Sequence, residues 1–108
     1  MTLFRNLFAS MTSARPKVDG HEVRRMVLEE DAVLLDVRTE AEFKSGHARS
    51  AINIPLQELA SRRAELPRDL RIIVYCRSGG RSATAAALLS REGYEVLDAG
   101  GLDNVMTS

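Results

Sequence analysis

Two hydrophobic periods alternate along this chain. Ala32-Val33-Leu34-Leu35, Ala51-Ile52-Asn53-Ile54 and Ile72-Ile73-Val74-Tyr75 are short, compact apolar runs, and Glu95-Val96-Leu97 is a fourth. Their length, and the polar or turn residues that close them (Asp36, Pro55, Cys76), predict strands buried in a parallel sheet. Lys17-Val18 adds a short strand at the start of the chain, making five in all. Between the runs the spacing is helical. Val23, Met26 and Val27 predict a helix from about Gly20 to Glu29 behind an Asp19/Glu22 capping-box pair. A second such pair, Thr39 and Glu42, predicts one turn from Glu40 to Lys44, closed by Gly46. Pro55 at a first helical position opens a helix through about Arg63, and Pro67-Arg68-Asp69 turns the chain into the strand from Arg71 to Tyr75. The alanine-rich stretch after Arg81 ends at Gly93, and Gly100-Gly101 turns the chain toward a last short helical segment. Strands that alternate with helices predict an α/β layered domain with parallel pairing. It occupies residues 17–108, behind a flexible leader at 1–16.

Composition narrows the partners more than the fold. With 108 residues the chain fits one domain, and 44% hydrophobic with 28% charged residues is ordinary for a globular protein. Fifteen basic residues balance fifteen acidic ones, so no global field draws nucleic acid or an anionic membrane. Any anion selectivity is local. No apolar run approaches the roughly 20 residues that span a bilayer. One cysteine makes no intrachain disulfide, and His21 and His47 stand far from it and from each other, so neither a metal nor another cofactor is expected. A cytoplasmic setting is expected. The first eighteen residues lack acid and carry Arg5, Arg15 and Lys17, a faint likeness to a transit peptide.

Chemistry concentrates in Cys76-Arg77-Ser78-Gly79-Gly80-Arg81-Ser82. This segment lies where a strand ends and a helix begins, the edge at which parallel sheets bind ligands. Helix N-termini leave N–H groups unpaired and carry partial positive charge, which favours an anion and lowers a thiol pKa. The bland alternative is a small buried hydrophobe, the usual fate of a lone cysteine. Gly79 and Gly80 permit the tight curvature of an anion-binding nest, and Arg77 and Arg81 add charge. A nucleophilic thiolate acting on an anionic substrate is the economical hypothesis. The lysine and spacing of a nucleotide phosphate loop are missing, as are the spaced glycines of a dinucleotide site.

At this point the chain resembles a single-domain rhodanese, of the rhodanese-like sulfurtransferase superfamily. Leu34-Leu35-Asp36-Val37-Arg38, Glu42-Phe43, Gly46-His47 and Ala51-Ile52-Asn53-Ile54-Pro55 resemble that family's first block in order and spacing. Cys76, Gly79, Arg81 and Ser82 match its Cys-x-x-Gly-x-Arg-Ser loop, and Gly93-Tyr94 and Gly100-Gly101 its closing elements. The resemblance implies a three-layer α/β/α fold whose five parallel strands lie in the order 3-2-4-5-1. Asp36 would then brace the cysteine loop, Arg38 would pair with Glu42, and His47 and Asn53 would fix the turn around the third strand. Four residues separate Cys76 from Arg81, as in sulfurtransferases; the related cell-cycle phosphatases and arsenate reductases have five. The smaller ring implies sulfane sulfur rather than phosphate.

The implied activity moves sulfane sulfur from thiosulfate or a related donor, through a Cys76 persulfide, to cyanide, a small thiol or a thioredoxin-like acceptor. Arg77, Ser78, Gly79, Gly80, Arg81 and Ser82 would bind the substrate. Arg81 either steers the donor or holds the loop together, and Ser82 either bonds the sulfur or caps the helix. A persulfide carrier without turnover and a redox-responsive interaction module are the alternatives. The chain departs from the family at Ala48, where a large aliphatic is usual, at Ser50, where glycine is usual, and after Gly101, where a tryptophan is common.

Overall fold

A computed structural model describes residues 18–106. The expected leader and Lys17 lie outside the described residues. Four strands, β1 (Val33–Asp36), β2 (Ile52–Asn53), β3 (Ile72–Cys76) and β4 (Val96–Gly101), form one parallel sheet in the order β2-β1-β3-β4. The helices are α1 (Gly20–Glu30), α2 (Glu40–Lys44), α3 (Leu56–Arg62), which runs into a 3₁₀ turn at Arg63–Glu65, α4 (Gly80–Arg91) and α5 (Leu102–Met106).

The sheet therefore has four strands among the described residues, not the five expected. Val18 lies beside the end of the sheet, at the position of the expected edge strand, but donates a single hydrogen bond to Asp98 O at 3.3 Å. One bond is not a ladder. The remaining order is the expected one, and among the described residues the edge member is represented by that contact.

Alternation along β3 sorts the core into two faces. Ile72, Val74 and Cys76 point to one side, among Leu35, Val37, Leu59, Ala85 and Leu89 beneath α3 and α4. Ile73 and Tyr75 point to the other, among Val23, Met26, Leu34, Ala99 and Val105 beneath α1 and α5. All five β3 side chains are buried, and each large apolar one contributes about 1.5–3 kcal/mol. The result is three layers, with the cysteine on the face that α4 covers.

Local signals fare unevenly. Around α2 the capping box is complete: Glu42 N donates to Thr39 Oγ1 and Thr39 N to Glu42 Oε1. The box expected at α1 is half formed. Asp19 accepts from His21 N at 2.9 Å, but Glu22 is held by Arg25 at 2.6 Å, because the guanidinium is a stronger partner than the cap N–H. Pro55 caps α3 from outside rather than occupying its first turn, since its ψ of 146° is extended. Helix α4 closes as expected. Gly93, at φ +96°, donates to Ser90 O and Tyr94 to Leu89 O, a Schellman pair.

The closing glycines do not turn the chain. They extend β4: the register shifts beside Val74 and Tyr75, after which Tyr75 pairs with Gly100 and Cys76 with Gly101. Asp98 Oδ1 accepts from Gly100 N at 2.8 Å and helps hold the irregularity. In the turn before β2, Ala48 is wholly buried and its N–H donates to Tyr75 Oη at 3.1 Å. Ser50 stands at φ +70°, a left-handed conformation that costs a non-glycine residue about 1–2 kcal/mol. That geometry accounts for the glycine usual there.

Candidate active site

Strand β3 delivers Cys76 to the carboxyl edge of the sheet, and α4 begins four residues later. Gly79, at φ +113°, makes the corner and stands as the N-cap of α4 without a capping side chain. The corner turns the first N–H groups of α4 back onto the sulfur. Gly79 N donates to Cys76 Sγ at 3.0 Å and Ser82 N at 3.3 Å. Burial pushes the thiol pKa up, but bonds from the Ser82 hydroxyl and from the N–H groups of Ser82, Gly79 and Ser78 outweigh it, so the pKa falls below the ordinary value. Cys76 is 1% exposed. Burial alone would favour the neutral thiol; the donors favour the thiolate.

Ser82 is not the helix cap. It lies in the first turn of α4, wholly buried, with its hydroxyl 3.0 Å from Gly79 O and 3.4 Å from Gly100 O. One hydroxyl proton thus serves either the loop backbone or the sulfur, and a negative sulfur draws it. Arg77 and Ser78 are exposed at the rim, and a methyl group on Gly80 would meet open space.

The outer wall of the loop is the end of β4. Ser78 bridges to Gly101, and Leu102 N donates to Arg77 O at 3.2 Å. A Cβ on Gly101 would lie 2.8 Å from Arg77 O. Only glycine lets the backbones approach this closely, so Gly101 belongs to the site. A Gly-Gly pair just after a strand is the signal along the chain, and it reads as a turn because pairing is invisible there.

Asp36 and Arg38 lie one strand away and bind each other. Arg38 Nε and Nη2 reach the Asp36 carboxylate at 3.0 and 2.7 Å, and Arg38 N donates to the same group at 2.8 Å. Both residues are buried, with exposures of 0% and 3%. The expected Arg38–Glu42 pair does not form. Residues two apart on an extended strand share a face, and the buried carboxylate takes the guanidinium first. Asp36 thereby supports the site through β1, which pairs Asp36 with Tyr75, rather than by bonding the loop. Asn53 Nδ2 closes this layer by donating to Asp36 O and Arg38 O. His47 stacks on Phe43 at 3.7 Å with Nδ1 2.9 Å from Phe43 O, a local contact of the turn.

Glu42 is instead bound by Arg81, with Nη1 to Oε1 at 2.7 Å and Nη2 to Oε2 at 3.1 Å. The Arg81 guanidinium, with Thr39 as second donor, holds the Glu42 carboxyl down at about 2. No sequence signal pairs Glu42 with Arg81, which lies 39 residues away.

The described residues include no group of three or more His, Cys, Asp or Glu side chains that could hold a metal, and no helix long and apolar enough to cross a membrane.

A parallel α/β sheet with a cysteine in a tight, N–H-lined loop at its carboxyl edge defines a class, and comparison supplies its name. The chain matches the Rhodanese-like domain over residues 19–106 and belongs to that family. It is 39% identical over 71 residues to a sulfurtransferase of Allochromatium vinosum, a match covering 66% of each chain. It is also 39% identical over 74 residues to the thiosulfate sulfurtransferase PspE of Escherichia coli, covering 66% of this chain and 71% of that one. Other curated relatives are longer, and the chain spans 49% and 21% of two of them. Among solved structures it is similar to the human single-domain sulfurtransferase TSTD1, with 26% identity, a TM-score of 0.69, and coverage of 82% of this chain and 91% of that one.

Proposed function

We propose that this protein is a sulfurtransferase that carries sulfane sulfur as a persulfide on Cys76. The thiolate attacks the outer sulfur of thiosulfate or a similar donor, the S–S bond of the donor breaks, and its electron pair leaves with sulfite. Cys76 is left as a persulfide anion. Cyanide then attacks the outer sulfur and departs as thiocyanate, or a small or protein thiol accepts it as a new persulfide; either step returns the thiolate. Backbone N–H groups, already aimed at Sγ, stabilise the negative charge before and after transfer. Arg77 at the rim draws the anionic donor.

The observation that carries this reading is the pair of bonds from Gly79 N and Ser82 N onto Sγ, at 3.0 and 3.3 Å. They come from a ring with four residues between Cys76 and Arg81, which suits a sulfur atom better than a tetrahedral phosphate.

Intact-mass measurement after thiosulfate treatment tests it. The expected result is a gain of one sulfur atom, reversed by dithiothreitol or cyanide and absent in Cys76→Ala. If a folded Cys76→Ala protein still releases sulfite, or the native chain gains no sulfur from any of several donors, the proposal fails. A gain of sulfur with negligible turnover on cyanide and small thiols would identify a carrier instead.

A further inference from the structure

The two arginines of the cysteine loop are not equivalent. Arg77 is exposed, and its guanidinium has no partner among the described residues. Arg81 is bound through both terminal nitrogens by Glu42, their side chains being 36% and 24% exposed. Glu42 is not a chance partner. It belongs to α2, and the same Oε1 also accepts from Thr39 N at 2.9 Å and Thr39 Oγ1 at 3.1 Å. The capping box therefore holds the carboxylate independently of Arg81.

Charge follows from this geometry. The thiolate, Arg77 and Arg81 alone would leave the site with one net positive charge. With Glu42 included, the sum is zero. Arg81 feels the sulfur, since the Cys76 thiolate is among the groups that raise its pKa after Glu42 itself. Glu42 therefore weakens the field that an approaching anion meets, and it does so more for two charges than for one.

We infer that Glu42 is a specificity-determining positioning residue: by holding and neutralising Arg81, it lowers the attraction of the site for dianionic sulfur donors relative to singly charged ones. The inference rests on the sulfur-transfer reading of Cys76. Thiosulfate and methanethiosulfonate frame the contrast, because both deliver an outer sulfur from a tetrahedral sulfonyl group while carrying two charges and one. With methanethiosulfonate the thiolate attacks the outer sulfur, the S–S bond breaks, and methanesulfinate leaves with the electron pair.

Glu42→Gln is the decisive variant, because glutamine keeps the carbonyl oxygen that Thr39 needs in the capping box. It should lower KM for thiosulfate about three- to fivefold, the size of one partly exposed charge interaction. The KM for methanethiosulfonate should move less than about twofold, with kcat for both nearly unchanged, and added salt should erase the difference. In an Arg81→Gln background the effect of Glu42→Gln should vanish. Equal shifts for the two donors, an unchanged or higher thiosulfate KM, or an effect that survives without Arg81 would each overturn the inference. A second measurement needs no sulfur transfer: the ratio of Cys76 alkylation rates with iodoacetate and iodoacetamide. Glu42→Gln should raise that ratio by about 1.5- to twofold, the shift expected for a single charge, and an unchanged ratio would overturn the claim. If the native chain gains no sulfur from either donor yet the ratio rises, the sulfur-transfer reading fails and the charge assignment stands.

Discussion

Asp36→Asn isolates the buried ion pair that supports the site from beneath. Asparagine has the shape of aspartate, so no cavity opens and packing is unchanged. What changes is charge. The Arg38 guanidinium, in a side chain 4% exposed, loses its counter-ion, and the new amide offers one acceptor oxygen where the carboxylate offered two. Breaking a buried pair by removing one partner costs about 3–5 kcal/mol, because a desolvated charge is left behind. The hydrogen bond from Arg38 Nη2 to Gly46 O, at 2.7 Å, survives and favours the lower part of that range. Small domains hold about 5–15 kcal/mol in all, so the loss is a large share. With an m-value of about 1.5 kcal/mol/M, the urea midpoint should fall by about 2–3 M. Arg38→Met in the same chain should recover part of the loss, because the orphaned charge is gone. A loss below about 1 kcal/mol, or no recovery in the double variant, would refute the reasoning. An Arg38–Glu42 pair would instead make Glu42→Gln the costly change.

Other perturbations address the loop directly. Gly101→Ala places a methyl group 2.8 Å from Arg77 O, which must push the loop outward; sulfur loading of Cys76 should slow at least about tenfold, read by intact mass, while secondary structure by circular dichroism stays native. Ser82→Ala removes a donor to the sulfur, so the midpoint of the pH profile for Cys76 alkylation, which the loop donors hold below that of an ordinary thiol, should rise. The same lowered pKa makes stability depend on pH: between the folded and unfolded thiol values the unfolded chain binds more protons, so stability should climb with pH across that window and be lost as pH falls through the folded value. Cys76→Ser should flatten that rise, as measured by urea melts at several pH values. Gly93→Ala, at φ +96°, should cost about 1–2 kcal/mol in the same melts without altering sulfur loading.

Much of this was legible along the chain. Ile72 to Tyr75 is apolar without a break, and only burial on both faces of a sheet satisfies such a run; Thr39 with Glu42 and Gly93 with Tyr94 carry their end signals within a few residues. These features depend on backbone preference and hydrophobic period, which act locally. The position of Cys76 between a strand and a helix follows from the same patterns, and with it the chemistry of an N–H-lined loop.

Partner choice across elements did not follow. Arg38, Glu42, Arg81 and Asp36 offer more than one pairing, and a charge has no period to reveal which is made. Tertiary packing decided it: β1 beside β3 buried Asp36 with Arg38, and α2 brought Glu42 to the rim of the loop. Packing also turned Gly101 from a turn residue into the wall behind Arg77, because a close approach of two backbones exists only once β4 has paired with β3. The sequence by itself determined that the cysteine would stand at a sheet edge, between a strand and a helix. Which charges surround it was decided by the folded chain, since electrostatic pairing depends on distance in space rather than separation in sequence.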